Sequence, residues 1–282
     1  MKIRDYRSHF LRELTPLYDA MEAESFFIIA LAELKGWKRT DLALNPDAEF
    51  SEAETREWDV VLAQLQKQVP IQYIFNKAYF YGLEFEVNRH TLIPRPETEE
   101  LVAWVINDNK AKGNSSILDI GTGSGCIAVS LAKNLPRATV SALDVSEEAL
   151  AVAIRNATQN DTVVAFRQMD ILTVEALPQQ YDCIVSNPPY VRVLEKGQMK
   201  RNVLEYEPHL ALFVEDNDAL LFYRKIALLA KQALNKNGTL YFEINQYLGK
   251  ETAEMLEGYG YTNIILKKDI YGNDRMIASR LA

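Results

Sequence analysis

Asn187, Pro188, Pro189 and Tyr190 follow directly on the apolar run YDCIVS, so a strand that reads as buried ends abruptly in a side-chain amide, two prolines and an aromatic ring. A residue before proline is held in extended backbone, which makes Asn187 to Pro189 a stiff element with exposed carbonyls. The Asn187 side-chain oxygen and the Pro188 carbonyl can accept the two hydrogens of an incoming NH2 group, and Tyr190 offers a ring face against its plane. A planar nitrogen of that kind is a poor nucleophile, because its lone pair is delocalised. Two acceptors whose hold strengthens as positive charge develops on it stabilise the transition state selectively. Alignment within about 3 to 3.5 Å of an activated carbon supplies the rest. The chemistry these residues suit is alkylation of an amino or amide nitrogen without a strong general base. A plain strand stop would account for the prolines but not for Asn187 and Tyr190.

The partner for such a receptor is the run ILDIGTGSGCIA, where Gly121, Gly123 and Gly125, with Thr122 and Ser124 between them, join a strand to a helix. Glycines there let backbone approach a ligand closely, and the helix start presents free N–H groups. Cys126 stands where a dinucleotide fingerprint wants glycine or alanine, and no Gly-Lys-Ser/Thr ends the turn as a phosphate loop requires. The Gly-x-Ser-x-Gly register of a hydrolase elbow fails around Ser124. Asp144 ends the next strand 19 residues after Gly125, where an acid can accept hydrogen bonds from both ribose hydroxyls; Ser146 is the better N-cap for the helix that follows. Asp170, ending the third strand, suits either an adenine amino group or a plain loop. Together these residues describe a nucleoside site without a phosphate clamp.

The elements that must position them alternate from about residue 115 onward. SILDI, ATVSALD, VVAFRQ, YDCIVS, GTLYFEI, TNIILKKD and RMIASRL read as seven strands, and GCIAVSLAKNL, SEEALAVAIRNATQ, ALLFYRKIALLAKQAL and LGKETAEMLEGYG as helices. Such alternation predicts an α/β fold with a mainly parallel sheet covered on both faces. The turn IYGND makes the last strand antiparallel. Before this, residues 1–75 read as a small helical bundle: Leu17, Met21, Ile28 and Leu31 share a face, with Thr15 and Pro16 at the helix start. Ser51 and Glu54 form a capping box ahead of Trp58, Val61, Leu62 and Leu65. AYFYGLEFEVN, with Gly82 in its middle, predicts a β-hairpin connector over 76–92. Pro96 starts a helix in IPRPETEELVAWVIND.

At 282 residues the chain has room for two domains, and 48% hydrophobic with 25% charged residues is an ordinary globular composition. The net charge of −8 argues against free nucleic acid as a partner. Cys126 and Cys183 lie in apolar runs without metal-ligand spacing, and His9, His90 and His209 are scattered, so no metal site is expected. The N-terminus lacks the apolar core of a secretory signal, and FFIIALA is too short to span a bilayer, which points to the cytoplasm and to no membrane partner. A monomer is expected. The segment around Tyr206, Glu207 and Pro208 could guide a substrate or brace its loop, and the basic run MKRN at 199–202 could be solvated or meet an acidic partner.

DIGTGSG with NPPY on a seven-strand pattern resembles the class I S-adenosylmethionine-dependent methyltransferases that modify planar nitrogens. PIQYIF, FYGLEFEVN, LIPRPETEELV, EYEPHLAL and DIYGNDRMIASR narrow the resemblance to the release factor glutamine methyltransferases, the HemK or PrmC family, from about residue 70 to the C-terminus. Over the first 70 residues it rests on a helical domain of fitting size and on LALNP. The resemblance implies a Rossmann-like methyltransferase domain over 93–282 and a substrate-recognition domain over 1–75. It implies methylation of the side-chain amide of the glutamine in the Gly-Gly-Gln motif of peptide chain release factors. Gly121, Thr122, Gly123, Ser124 and Gly125 would border the methionine part of S-adenosyl-L-methionine, Asp144 its ribose, and Ile171, after Asp170, its adenine. Asn187, Pro188, Pro189 and Tyr190 would hold the glutamine, with Asn187, Pro188 and Tyr190 catalytic and Asn187 also near the cofactor. IPRPETE would border the active site, with no catalytic step assigned to Arg95 or Glu97. The rivals are an enzyme methylating the exocyclic amine of adenine in DNA or RNA, and a non-catalytic protein-binding module. A duplex substrate would require base flipping and usually a basic reading domain.

Overall fold

Helix starts and stops in the N-terminal region are set by side-chain caps. The computed structural model describes residues Met1–Leu281, apart from the side chain of Gln198. Helices α1 (Ile3–Leu14), α2 (Ala20–Lys35), α3 (Arg39–Leu44), α4 (Glu52–Gln66) and α5 (Ile71–Ile74) come first. The Ser51–Glu54 box forms, with the Glu54 N–H donating to Ser51 Oγ at 3.2 Å and the Ser51 N–H donating to Glu54 Oε2 at 2.8 Å. Ser51→Ala is therefore expected to cost about 1 kcal/mol in chemical denaturation.

The expected start of α2 at Thr15 and Pro16 is not where the helix begins. Thr15 Oγ1 donates back to the Leu11 carbonyl at 2.6 Å and closes α1. Asp19 caps α2 instead, accepting from the Glu22 N–H at 2.8 Å. Leu31, on the expected face, is buried, as is Phe27 beside it, and Ala23 and Ala30 join them, while Met21 is 82% exposed. Trp58 is the centre of this core, with the rings of Phe27, Phe50, Tyr6 and Phe10 at centroid distances of 4.8, 5.0, 5.7 and 6.0 Å.

The remaining elements are β1 (Lys77–Phe80), β2 (Leu83–Glu86), α6 (Pro96–Asn109), β3 (Ser116–Ile120), α7 (Cys126–Asn134), β4 (Thr139–Asp144), α8 (Glu147–Gln159), β5 (Val164–Gln168), β6 (Tyr181–Ser186), β7 (Val191–Arg192), α9 (Arg201–Tyr206), β8 (Phe213–Val214), α10 (Leu221–Ala233), β9 (Leu234–Glu243), α11 (Gly249–Gly258), β10 (Tyr261–Lys268) and β11 (Asp274–Leu281). Two compact units result: Met1–Asn76 with Lys200–Tyr206, and Lys77–Met199 with Glu207–Ala282. Helix α9 thus packs with the N-terminal helices, where Lys200 Nζ meets Glu22 Oε2 at 3.1 Å and the Tyr206 hydroxyl donates to the Lys67 carbonyl at 2.8 Å.

In the second unit the seven-stranded sheet has the order β10-β11-β9-β6-β3-β4-β5. Strands β5, β4, β3, β6 and β9 are parallel, and β11 runs antiparallel between β9 and β10. Strand alternation sends Ile117, Cys183, Val185 and Tyr241 into a core with α6 and α7, and Leu118, Ile184, Leu240 and Phe242 into another with α10. The expected hairpin forms as β1–β2 around Tyr81 and Gly82, at φ 49° and 73°, and belongs to this unit. It is tied to α8 by Asn156, whose Oδ1 accepts from the Glu86 N–H at 2.6 Å and whose Nδ2 donates to the Glu86 carbonyl at 2.9 Å. The same Nδ2 reaches the Ser124 carbonyl in the glycine turn at 2.8 Å. Among the described residues no helix is long and apolar enough to cross a membrane.

Candidate active site

Strand register lines up the candidate residues. β3 and β6 pair with Ile120 opposite Ser186, so the chain leaves both strands at one level, into Gly121 and into Asn187. The Ser186 hydroxyl locks the two ends by donating to the Ile120 carbonyl at 2.7 Å. Leu143 stands opposite Ile120, which puts Asp144 beside the glycine turn, and Gln168 opposite Asp144, with Asp170 two residues further on. On the other flank Phe242 faces Ser186, so Glu243 is level with Asn187. Between β3 and β6 the order of strands reverses, the place where open parallel sheets take ligands at their carboxyl ends.

A cavity of about 340 Å³ opens there, walled by Gly121, Thr122, Gly123, Ser124, Asp144, Asp170, Ile171, Asn187, Pro188 and Pro189. Gly121 and Gly123 adopt φ 75° and 54°, and nothing lies within 4 Å of where a Cβ would stand on either. Bare backbone therefore faces the open space. Asp144 accepts from the Gly123 N–H at 2.8 Å and the Ser146 N–H at 3.0 Å, one on each oxygen, which leaves a lone pair on each for a ligand. Burial, partly offset by those N–H groups, holds its carboxyl above the usual range. Ile171, Met169 and Phe222 add an apolar wall suited to a base.

Two expected residues sit elsewhere. Gly125 is off the cavity wall: a Cβ on it would stand 3.0 Å from Ala153 Cβ, so this glycine serves the close approach of α7 to α8. Tyr190 lines a smaller adjoining cavity of about 40 Å³ together with Leu92, Arg95, Asn187 and Pro188. Its hydroxyl is already engaged, donating to Glu243 Oε1 at 3.0 Å, and burial followed by the Glu243 charge drives its pKa upward. Only Asn187 and Pro188, of the four residues in NPPY, border both cavities.

Several residues of the site carry no motif. Thr98, in the first turn of α6, donates to Glu243 Oε2 at 2.5 Å and receives Asn187 Nδ2 at 3.4 Å. Glu243 is 1% exposed, and burial, opposed by the Thr98 and Tyr190 hydroxyls, raises its pKa. Its signal was an acid closing an apolar strand, TLYFE, the same signal that marks Asp144. Glu207 braces the wall: its buried carboxylate accepts from the Ile93 N–H at 3.2 Å and from Arg95 Nη2 at 2.6 Å. Beneath the glycine turn, burial pushes Asp119 up to about 7 against the hydrogen bond from Thr122 Oγ1 at 2.6 Å. Cys126 and Cys183 are free thiols, and burial pushes Cys126 up to about 12.

Residues 100–206 match the methyltransferase small domain family, and residues 9–75 match the PrmC N-terminal domain family. Over 280 residues the chain is 59% identical to a release factor glutamine methyltransferase of Flavobacterium psychrophilum, covering 98% of each chain. It is 43% identical over 273 residues to one of Bacteroides thetaiotaomicron, covering 96% of this chain and 98% of that one. Among solved structures, a methyltransferase from Pyrococcus furiosus aligns at TM-score 0.51 and 20% identity, over 71% of this chain and 89% of that one. The hMettl16 catalytic domain aligns at TM-score 0.57 and 18% identity, over 72% and 77%. Both structural matches are likenesses of fold.

Proposed function

The chain belongs to the release factor glutamine methyltransferase family, and we propose that it transfers a methyl group from S-adenosyl-L-methionine to the side-chain amide nitrogen of the glutamine in the Gly-Gly-Gln motif of a peptide chain release factor. The observation that carries this reading is the Ile120–Ser186 register, which sets the glycine turn and Asn187 side by side on one cavity. The donor fits this chain's own groups: bare backbone at Gly121 and Gly123 for its amino-acid part, Asp144 with an open lone pair on each oxygen for the ribose, and Ile171 for the base. When bound, the donor would supply a methyl carbon made electrophilic by its sulfonium; the bond to sulfur breaks as the bond to nitrogen forms, a neutral thioether leaves, and the alkylated nitrogen loses one proton to a neighbouring acceptor or water.

Asn187 Oδ1 and the Pro188 carbonyl accept the two hydrogens of the glutamine amide, and their hold tightens as the nitrogen becomes cationic. Tyr190 offers its ring rather than its hydroxyl, which Glu243 retains. Pro189 keeps the backbone of the element stiff. The helical unit that includes residues 9–75 is assigned to release factor recognition, and the protein acts as a cytoplasmic monomer on protein rather than free nucleic acid, in keeping with its net charge of −8. Incubation with labelled donor and either a release factor or adenine-containing nucleic acid tests the reading. Label in the release factor, lost when its glutamine is changed to alanine, is expected; label only in nucleic acid refutes it.

A pH effect follows from Asp144. With its pKa raised by burial, it takes up a proton at higher pH than an ordinary aspartate and then loses an acceptor for the ribose. The donor KM is expected to rise as pH falls through that raised value, and to be high and flat in Asp144→Asn. A raised carboxylate pKa also means that the native chain binds this proton more tightly than the unfolded one, so through this group stability declines as pH rises. Through Asp144 alone, acid therefore weakens donor binding while favouring the folded state, opposite in sign to the contribution of carboxylates with lowered pKa such as Glu54 and Glu86. Donor KM measured from the ordinary aspartate range up to neutral pH for both proteins, beside denaturation curves of both, separates the two effects.

A further inference from the structure

We propose that Glu243 and Thr98 are positioning residues that decide which way round the Asn187 amide stands; this rests on the reading of Asn187 as the substrate's acceptor. Asn187 is useful only if its oxygen faces the substrate, yet the two halves of a side-chain amide have nearly the same shape. Turned over, it would present N–H groups to the NH2 of the glutamine, donor against donor.

The structure contains a chain of directions that removes this ambiguity. Each Glu243 oxygen takes one hydroxyl hydrogen, Oε2 from Thr98 at 2.5 Å and Oε1 from Tyr190 at 3.0 Å, and these two donors with the Arg275 charge favour, against burial, the carboxylate form that can only accept. Thr98 Oγ1, its one hydrogen committed to Glu243, shows only lone pairs on its other side. The half of Asn187 that faces it at 3.4 Å is accordingly Nδ2, leaving Oδ1 for the cavity. Glu243 lines neither cavity and is 1% exposed, so it acts through Thr98, which is on the wall of the larger one. The same carboxylate anchors the Tyr190 hydroxyl and so fixes the ring beside the smaller cavity.

The test uses the intact protein, labelled donor and a release factor. Thr98→Val keeps the shape but removes the acceptor, Glu243→Gln replaces one acceptor by a donor, and Thr98→Ser keeps the direction of the hydrogen bond. The first two are expected to lower kcat on the order of 10- to 100-fold, with donor Kd within about twofold of the unaltered protein and Thr98→Ser near the unaltered rate. A group that acts through Asn187 has nothing left to position once Asn187 is gone. Thr98→Val should therefore cost nothing further in an Asn187→Ala background. The unchanged donor Kd is the sign that the cavity itself is intact. Unaltered turnover in Thr98→Val, or losses that multiply in the double variant, overturns the inference while the function stands. An unaltered protein that labels no release factor overturns the functional reading and this inference with it.

Discussion

Alanine in place of Asn187 is expected to lower kcat on the order of 100- to 1,000-fold, the loss found when one preorganised polar group facing a developing charge is removed. Donor affinity should change by about tenfold at most, because the Gly121 to Ser124 turn, Asp144 and Ile171 remain on the wall. The asymmetry follows from geometry. Asn187 is at the level of the glycine turn through the Ile120–Ser186 pair, and it borders both the cavity assigned to the donor and the smaller one that holds Tyr190. Its loss leaves the Pro188 carbonyl as the sole acceptor for an amide with two hydrogens, so the nitrogen is free to rotate out of line. Single-turnover kinetics with labelled donor, beside calorimetric titration of the donor, measure the two quantities. Near-normal turnover would remove Asn187 from the mechanism.

Trp58→Ala is expected to destabilise the N-terminal unit by about 3–5 kcal/mol. Trp58 is fully buried, and four aromatic rings converge on it, so truncation leaves a cavity that Tyr6, Phe10, Phe27 and Phe50 cannot fill without leaving their own contacts. The effect should be confined. Every residue lining the 340 Å³ cavity belongs to the second unit, so donor Kd is expected to stay within about twofold while an early unfolding transition separates in calorimetry. A single transition at the unaltered temperature would contradict the assigned role of Trp58 in this core.

The sheet is legible in the sequence because its strands are short apolar runs that end in turn residues or acids, and the site is legible where it is made of backbone. GTGSG and NPPY are composed of residues whose conformational rules are local, and the chain carries them wherever it goes. Side-chain partners are another matter. Thr98 lies 89 residues from Asn187, and Glu243 lies 145 from Thr98; nothing in either neighbourhood announces the hydrogen bonds that register later creates. Gly125 misleads for a related reason: within a glycine-rich turn, a glycine demanded by helix packing looks the same as one demanded by a ligand. The α2 start misleads because Thr15 and Pro16 suit a helix end as well as a beginning, and Asp19, a better cap, follows shortly after. Residues 199–208 read as loop from their own types, whereas helix α9 forms there and its membership in the N-terminal unit rests on Glu22 and Lys67 far back in the chain.

Asn156 gives the glycine turn a property of its own. Because the Ser124 carbonyl is gripped by a side chain that is itself fixed to the β-hairpin, the curve of the turn is imposed by protein rather than moulded by whatever arrives. An arriving molecule then meets a mould that is already set, and little of its binding energy is diverted into ordering main chain.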